Sequence, residues 1–351
     1  METTVKSILF LSVFLAAGLH GAYSDAYAGD LSSCPAPASP ERRLVGSEIT
    51  HGIVSESKLE RQVEFLADSL CGGRATGSRG AVEAAFWIER QFRKAGIQPF
   101  GNSYSHSFLT TDGRTGRNII GVLPSGGKTA AKPYIVVTAH YDGLGTLEGA
   151  MYPGADSNAS GVAAMIAEAE MIGAMMRFGK VYGRNIIFAA TDGKNLSMRG
   201  ARELWNSLSG GGLKDPETGV SITADDIMLM VNIDQIGSSM APLRSGRKDY
   251  LLMLSDRNSD FYRGSLSSMN DKYGIGLELC FDYYGSRDFT KMFYSTVSEQ
   301  RVFLEHGKPA VMFTSGITMN NNKTRDTGDT LDYEVMKKRI WLIFHWLERV
   351  L

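Results

Sequence analysis

The sequence predicts an α/β protein: a three-layer sandwich in which a mixed, mostly parallel sheet lies between helices on both faces. Three observations point there. Short apolar runs at residues 134–139, 185–190, 227–233, 251–254 and 310–313 have the length and bulk of buried strands. Helical patterns stand before, between and after them, as βαβ units require. The 39 glycines exceed the usual ~7% share, in keeping with many tight turns between elements.

In chain order, residues 1–28 read as a signal peptide. Lys6 gives a positive start, residues 8–19 an apolar run, and Ala26-Tyr27-Ala28 a small-x-small cleavage site. The run is shorter than the ~20 residues of a membrane span, so no transmembrane span is expected, and the mature chain is expected in the periplasm or outside the cell. Leu31-Ser32-Ser33-Cys34 offers a rival reading, a lipid anchor at Cys34, but Asp25 and Asp30 separate it from the apolar core. Residues 29–50, with Pro35, Pro37 and Pro40, read as a linker, and residues 51–351 as a single domain. Its first helix, residues 55–70, spaces Leu59, Val63, Phe65 and Leu66 at roughly helical intervals. The second, residues 81–95, does so with Ala85, Phe86, Ile88, Phe92 and Ala95. Residues 71–78 turn between them, residues 159–176 form an Ala- and Met-rich helix, and residues 334–351 close the chain as an amphipathic one.

The formal net charge of −1 gives no basic surface for nucleic acid and no acidic tail. Cys34, Cys71 and Cys280 form no CxxC pair, which argues against a thiolate zinc site. Nothing in their spacing supports a Cys71–Cys280 bridge.

Chemistry-bearing residues fall just after the apolar runs, where parallel sheets place their active groups. His140-Tyr141-Asp142 ends the first run. Gly154-Ala155-Asp156-Ser157-Asn158-Ala159-Ser160-Gly161 leads into the Ala-rich helix. Asp192-Gly193-Lys194-Asn195 follows the second run, and Asp234 the third. His and Asp are zinc-ligand types, and His-x-Asp suits a ligand with an orienting partner.

This string resembles peptidase family M28, the family of bacterial leucine aminopeptidases, glutamate carboxypeptidase, glutaminyl cyclase and the transferrin receptor. Gly73-Arg74-Ala75-Thr76-Gly77-Ser78 resembles that family's GRxxGS segment. Residues 138–142, 154–161 and 232–234 continue the match in order, followed by Lys308-Pro309-Ala310 and Asp326-Thr327-Gly328-Asp329. The similarity extends over nearly all of residues 55–350. By that resemblance, His140 and Asp234 would hold one zinc, Asp156 would bridge to a second, and Asp142 would orient His140.

The departures are equally specific. Where the family has two adjacent glutamates, a general base and a ligand to the second zinc, this chain has Lys194 and Asn195. Where the family has its last histidine ligand, it has Asn322. The family's Ser-Asp-His near the substrate reads Ser298-Glu299-Gln300. An ammonium cannot serve as general base without a large pKa depression, and amide oxygens are poor zinc ligands. The expectation is a site with one zinc at most, or a metal-free one in which the Lys194 ammonium pairs with Asp156 or Asp142. Three functions stand open: a pseudopeptidase that binds a peptide or protein, an active zinc aminopeptidase with a rearranged site, and a single-zinc cyclase. His306 reads as a surface histidine and His345 as a helix-packing one. Glu203 is expected to face away from the site, and Glu148 has no assigned place. Oligomeric state is not legible.

Overall fold

The computed structural model describes residues 50–125, 133–239, 246–255, 259–283 and 285–351. The signal-peptide segment, Cys34 and all but the last residue of the linker lie outside the described residues. Those that are described belong to one compact unit, residues 38–351.

The chain enters through helix α1 (Glu56–Ala67) and α2 (Arg79–Ala95). Each starts on a serine whose hydroxyl accepts a first-turn N–H: Ser55 from Lys58 at 3.3 Å, Ser78 from Ala81 at 3.1 Å. Gly96 closes α2 in the left-handed conformation at φ 86°. The strands β1 (Gln98–Pro99), β2 (Ser105–Leu109), β3 (Thr115–Leu123), β4 (Tyr134–His140), β5 (Gly145–Leu147) and β6 (Ala150–Tyr152) follow, then α3 (Gly161–Arg177) and β7 (Asn185–Thr191). Next come α4 (Arg199–Ser209), β8 (Ile227–Ile233), β9 (Tyr250–Ser255), α5 (Ser259–Lys272), β10 (Glu278–Cys280), α6 (Arg287–Thr296), α7 (Gln300–Glu305), β11 (Ala310–Thr314) and α8 (Tyr333–Val350).

Among the described residues the main sheet has nine strands, ordered β1-β3-β7-β4-β8-β11-β9-β10, with β2 also on β3. The central β7-β4-β8-β11 pairings are parallel, whereas β3 and β9 join them antiparallel. The sheet is therefore mixed and mostly parallel at its centre, as the apolar runs predict. Strand β4 shows the physics: all seven residues are buried, but alternate ones serve opposite faces. Ile135, Val137 and Ala139 pack with α1, α2, α3 and α8, while Tyr134 and Val136 pack with Ala201, Leu204 and Trp205 of α4 and Phe303 of α7. Each such Val or Ile contributes roughly 1.5–3 kcal/mol by leaving water. Helix α3, long and apolar enough to cross a membrane by composition alone, lies in a run that is 83% buried inside the fold.

The structure corrects one detail, adds elements, and agrees with the reading that the cysteines are not bridged. Phe86 does not join the buried face of α2; it is 60% exposed, and Ala81, Ala84 and Trp87 take its place. Strands β2 and β3 and helices α4 to α7 go beyond the elements read from sequence. Cys71 is a buried thiol, so no bridge joins it to Cys280.

Candidate functional site

The carboxyl ends of the parallel strands open into a cavity of about 240 Å³. The turn at residues 71–78 shapes its rear. Arg74 is fully buried and fixes several chain segments at once: Nε donates to the Tyr141 carbonyl (2.7 Å), Nη1 to those of Leu66 and Pro153, and Nη2 to that of Gly154 (2.8 Å). Gly73 lets this turn approach the β5–β6 hairpin; a Cβ there would lie 2.6 Å from the carbonyl oxygens of Gly145 and Tyr152.

His140 ends β4 and lines the cavity, 2% exposed. Its Nδ1 lies 3.1 Å from the backbone carbonyl of Asp142 and 3.6 Å from the carboxylate, so the main chain is the closer orienting partner. In the neutral ring with Nδ1–H directed there, Nε2 carries the lone pair. Lys194 Nζ donates to that nitrogen at 2.9 Å and to Asp234 Oδ2 at 2.6 Å. The Asp142 carboxylate instead accepts the backbone N–H groups of Lys194 (3.0 Å) and Asn195 (3.4 Å), which pins the loop that delivers the lysine. Lys194 thus does not pair with Asp142 or Asp156 through its ammonium. Its partner is Asp234.

Asp234 is held from below. Ser298 Oγ donates to Oδ2 at 2.5 Å, and Asn232 Nδ2 donates to Ser298 Oγ at 2.9 Å. Burial alone would raise the Asp234 carboxyl, but Lys194 and His140 outweigh it and hold the group far below the usual carboxylate range. For His140, burial and Lys194 push the imidazole down; Asp234 and Asp142 prevail and keep it above its ordinary value.

Asp156 is not brought to this cluster. The carboxylate accepts from the backbone N–H of Gly237 (2.8 Å) and Ser238 (3.3 Å), from Ser160 Oγ (3.0 Å) and from Ser238 Oγ. The neighbouring Ser157 lines the cavity instead. The assignment of Asp156 as a bridging ligand is therefore corrected. Gly154 takes the left-handed region (φ 61°) and Ser157 a non-helical conformation before α3 begins, so one step in sequence moves from the protein side to the cavity side.

Asn195 lines the cavity and Asn322 stands exposed at its mouth. Glu299 is sealed beneath, accepting from Thr191 Oγ1 with Oε2 unpartnered; burial raises it despite His140. Asp192 turns toward Thr76 Oγ1 (2.7 Å) and the Arg117 N–H (2.9 Å), and burial with the nearby Asp142 raises it to about 7. His306 is exposed and stacks on Trp205, and His345 is buried against Tyr273. Glu203 pairs along α4 with Arg199, and Glu148 sits exposed in the β5–β6 turn. Sequence reasoning missed Ser298 and Asn232 as supports of Asp234, and missed Gln235, Asn321, Lys323 and Asp326 on the cavity wall. The only available signal for the first pair was their place beside the predicted strands and the substrate-like segment.

The model of peptidase family M28 matches residues 118–347. Among solved structures, the chain is similar to the Legionella pneumophila LapA aminopeptidase (17% identity, 91% of this chain and 78% of that one, TM-score 0.62). It is also similar to BSAP, a zinc aminopeptidase from Bacillus subtilis (12%, 84% and 94%, 0.61), and to a glutaminyl cyclase of Macrostomum lignano (18%, 86% and 91%, 0.64). At these identities the likeness concerns the fold. A curated relative, the BOS complex subunit ncln of Danio rerio, is 29% identical over 130 residues, which is 34% of this chain and 21% of that protein.

The family and these neighbours suggest zinc, but the donor set does not fit it. Among the described residues, no group of three or more His, Cys, Asp or Glu side chains is placed to hold an ion. His140 Nε2 and Asp234 Oδ2 both face the Lys194 ammonium, Asp156 is committed to neutral donors, and Ser157 offers the cavity only a hydroxyl.

Proposed function

The chain belongs to peptidase family M28, and from that premise we propose that it is an exported peptide-binding member whose hydrolysis is lost or strongly reduced. The observation that carries this reading is the seat of Lys194, 2.9 Å from His140 Nε2 and 2.6 Å from Asp234 Oδ2. A cation already satisfies the two residues best suited to hold a metal. A zinc ion entering there would displace an ammonium paired with a buried carboxylate, and would then find two protein ligands where three are usual in a catalytic site. The metal-free state is accordingly the favoured one.

Among the described residues the carboxylates on the cavity wall are already engaged, Asp326 included although burial raises it to about 6, and none is left free to position a water for proton transfer. Asp234 Oδ2 is bound by Lys194 and Ser298, and both oxygens of Asp326 accept backbone N–H groups. What these residues do is hold a fixed polar floor under an apolar wall, which suits binding. The relative named as a subunit of a complex fits a non-hydrolytic role as well.

Purified protein assayed on a panel of amino-acid p-nitroanilides with added zinc is expected to show no turnover, and calorimetry with native mass spectrometry to show no zinc bound at micromolar concentration. Turnover that disappears in His140→Ala and Asp234→Ala would establish the active-aminopeptidase reading instead. Combining Ser157→Asp, Lys194→Glu, Asn195→Glu and Asn322→His is expected to create zinc binding, because position 157 faces the cavity.

A further inference from the structure

The Lys194 cation also sets what the cavity can hold. An ammonium has three donors. Those of Lys194 serve His140 and Asp234, which leaves one for an acceptor in the cavity that the residue lines at 19% exposure. Asn321 accepts from Gln235 Nε2 through Oδ1 at 2.8 Å, so its amide N–H groups are its remaining capacity on the cavity wall. Lys323, on the same loop, adds a second ammonium at the exposed rim.

The carboxylates are spoken for. Asp234 Oδ2 is engaged and Oδ1 is sealed from the surface. Asp326 accepts the N–H groups of Asp156 (2.7 Å) and Ser157 (3.1 Å). A ligand ammonium would therefore meet a cation and no free carboxylate, whereas a ligand carboxylate would meet three sets of donors. Phe293, Val297, Met312 and Ile317 give the same cavity an apolar side. Its volume is below the ~300–1,000 Å³ of drug-sized clefts, which limits the occupant to about one residue.

We propose that the cavity binds a carboxylate attached to a single apolar side chain, with a carboxylate oxygen on Lys194 Nζ and the side chain against Phe293, Val297 and Ile317. This rests on the reading that Lys194 stands in place of a metal. The shared chemistry belongs both to a free N-acylated amino acid and to the carboxyl-terminal residue of a peptide.

Calorimetric titrations with N-acetyl-L-leucine, N-acetyl-L-leucinamide and L-leucinamide test it. The carboxylate is expected to bind about tenfold more tightly than the neutral amide, the scale of one charge-assisted hydrogen bond, with the cationic amide weakest. Lys194→Met should erase the preference for carboxylate over neutral amide. Lys323→Met, at the exposed rim, should reduce it severalfold with the fold intact, and it decides the matter if Lys194→Met does not fold. Tighter binding of N-acetyl-Ala-Ala-Leu than of N-acetyl-leucine assigns the site to peptide ends, and the reverse to free acylated amino acids. Equal or tighter binding of L-leucinamide, or no binding of any of the three at millimolar concentration, overturns the proposal while leaving the non-hydrolytic reading standing. Turnover of L-leucine p-nitroanilide would remove that reading itself.

Discussion

Asp156 and Asp234 are the same residue type at the same depth, each 2% exposed, and their surroundings differ in one respect. Asp234 faces an ammonium at 2.6 Å and an imidazole at 3.4 Å. Asp156 faces hydroxyl and backbone N–H donors, with the Arg339 guanidinium a weaker influence. The carboxyl of Asp234 is driven far down; that of Asp156 is raised by burial, which the hydrogen bonds from Ser238, Gly237 and Ser160 do not offset. Several neutral donors do not equal one cation when a carboxylate leaves water. The placement of Lys194 therefore decides which of the two acids is the charged feature of the cavity.

The largest test of that contrast is Lys194→Met. Removing the cation leaves Asp234 buried with only His140 and Ser298 beside it, which is expected to cost about 3 kcal/mol at pH 7, the low end for breaking a buried pair. The pH dependence has a definite sign. A depressed carboxyl contributes stability that is present above its unfolded value of about 4 and is lost as pH falls through the folded one. The gap between wild type and variant should thus narrow as pH drops below 4. Urea denaturation across pH measures it, and a loss under about 0.5 kcal/mol at pH 7, within the range of ordinary surface substitutions, would mean that Asp234 does not depend on the lysine.

A smaller effect is expected on the other side. Ser238→Ala removes the hydroxyl that donates to Asp156 Oδ2 and should cost about 1.5–2 kcal/mol, the low end for one hydrogen bond to a charged group. Because the Asp156 carboxyl is raised, its contribution is present below the unfolded value and lost as pH rises. The variant should push the group further up, so its deficit should be larger at pH 7 than at pH 4. A deficit that grows toward acid would place Asp156 with Asp234 and erase the contrast.

Much of this architecture is legible in the sequence because two signals coincide. Residues 134–139, 185–190 and 227–233 are mostly apolar and carry no charge, so they read as buried strands, and the first charged residues after them were expected to emerge at one edge. That logic finds His140, Asp142, Lys194 and Asp234. It fails where no regular element fixes direction. Asp156 and Ser157 are adjacent polar residues in an irregular segment, and only the backbone angles there decide which faces the cavity. It also fails for support from far along the chain. Ser298 reaches Asp234 across 64 positions, and nothing local to either residue announces the contact. Phe86 fell on the wrong face because a helix turns 100° per residue and adjacent apolar residues cannot all point inward.

The smallest expected effect, and the sharpest discriminator, is Asp326→Asn. Asp326 lies on the Asp156 side of the cavity and has no cation at hydrogen-bond distance: its oxygens accept the N–H groups of Asp156 and Ser157. Burial raises it to about 6, against the pull of those N–H groups. If neutral donors cannot replace a cation, wild-type stability should fall as pH rises from about 4, the unfolded value, to about 6, and the variant should lose that slope. At pH 7 two effects oppose. The amide relieves a buried charge, but its Nδ2 meets an N–H that a carboxylate oxygen had accepted, so the net change should stay within about 1 kcal/mol. Unfolding free energies measured at intervals between pH 4 and 8 decide it. A slope between 4 and 6 that survives in the variant would assign the titrating proton elsewhere, with Asp192, raised to about 7 by burial and by Asp142, as the next carboxyl to replace.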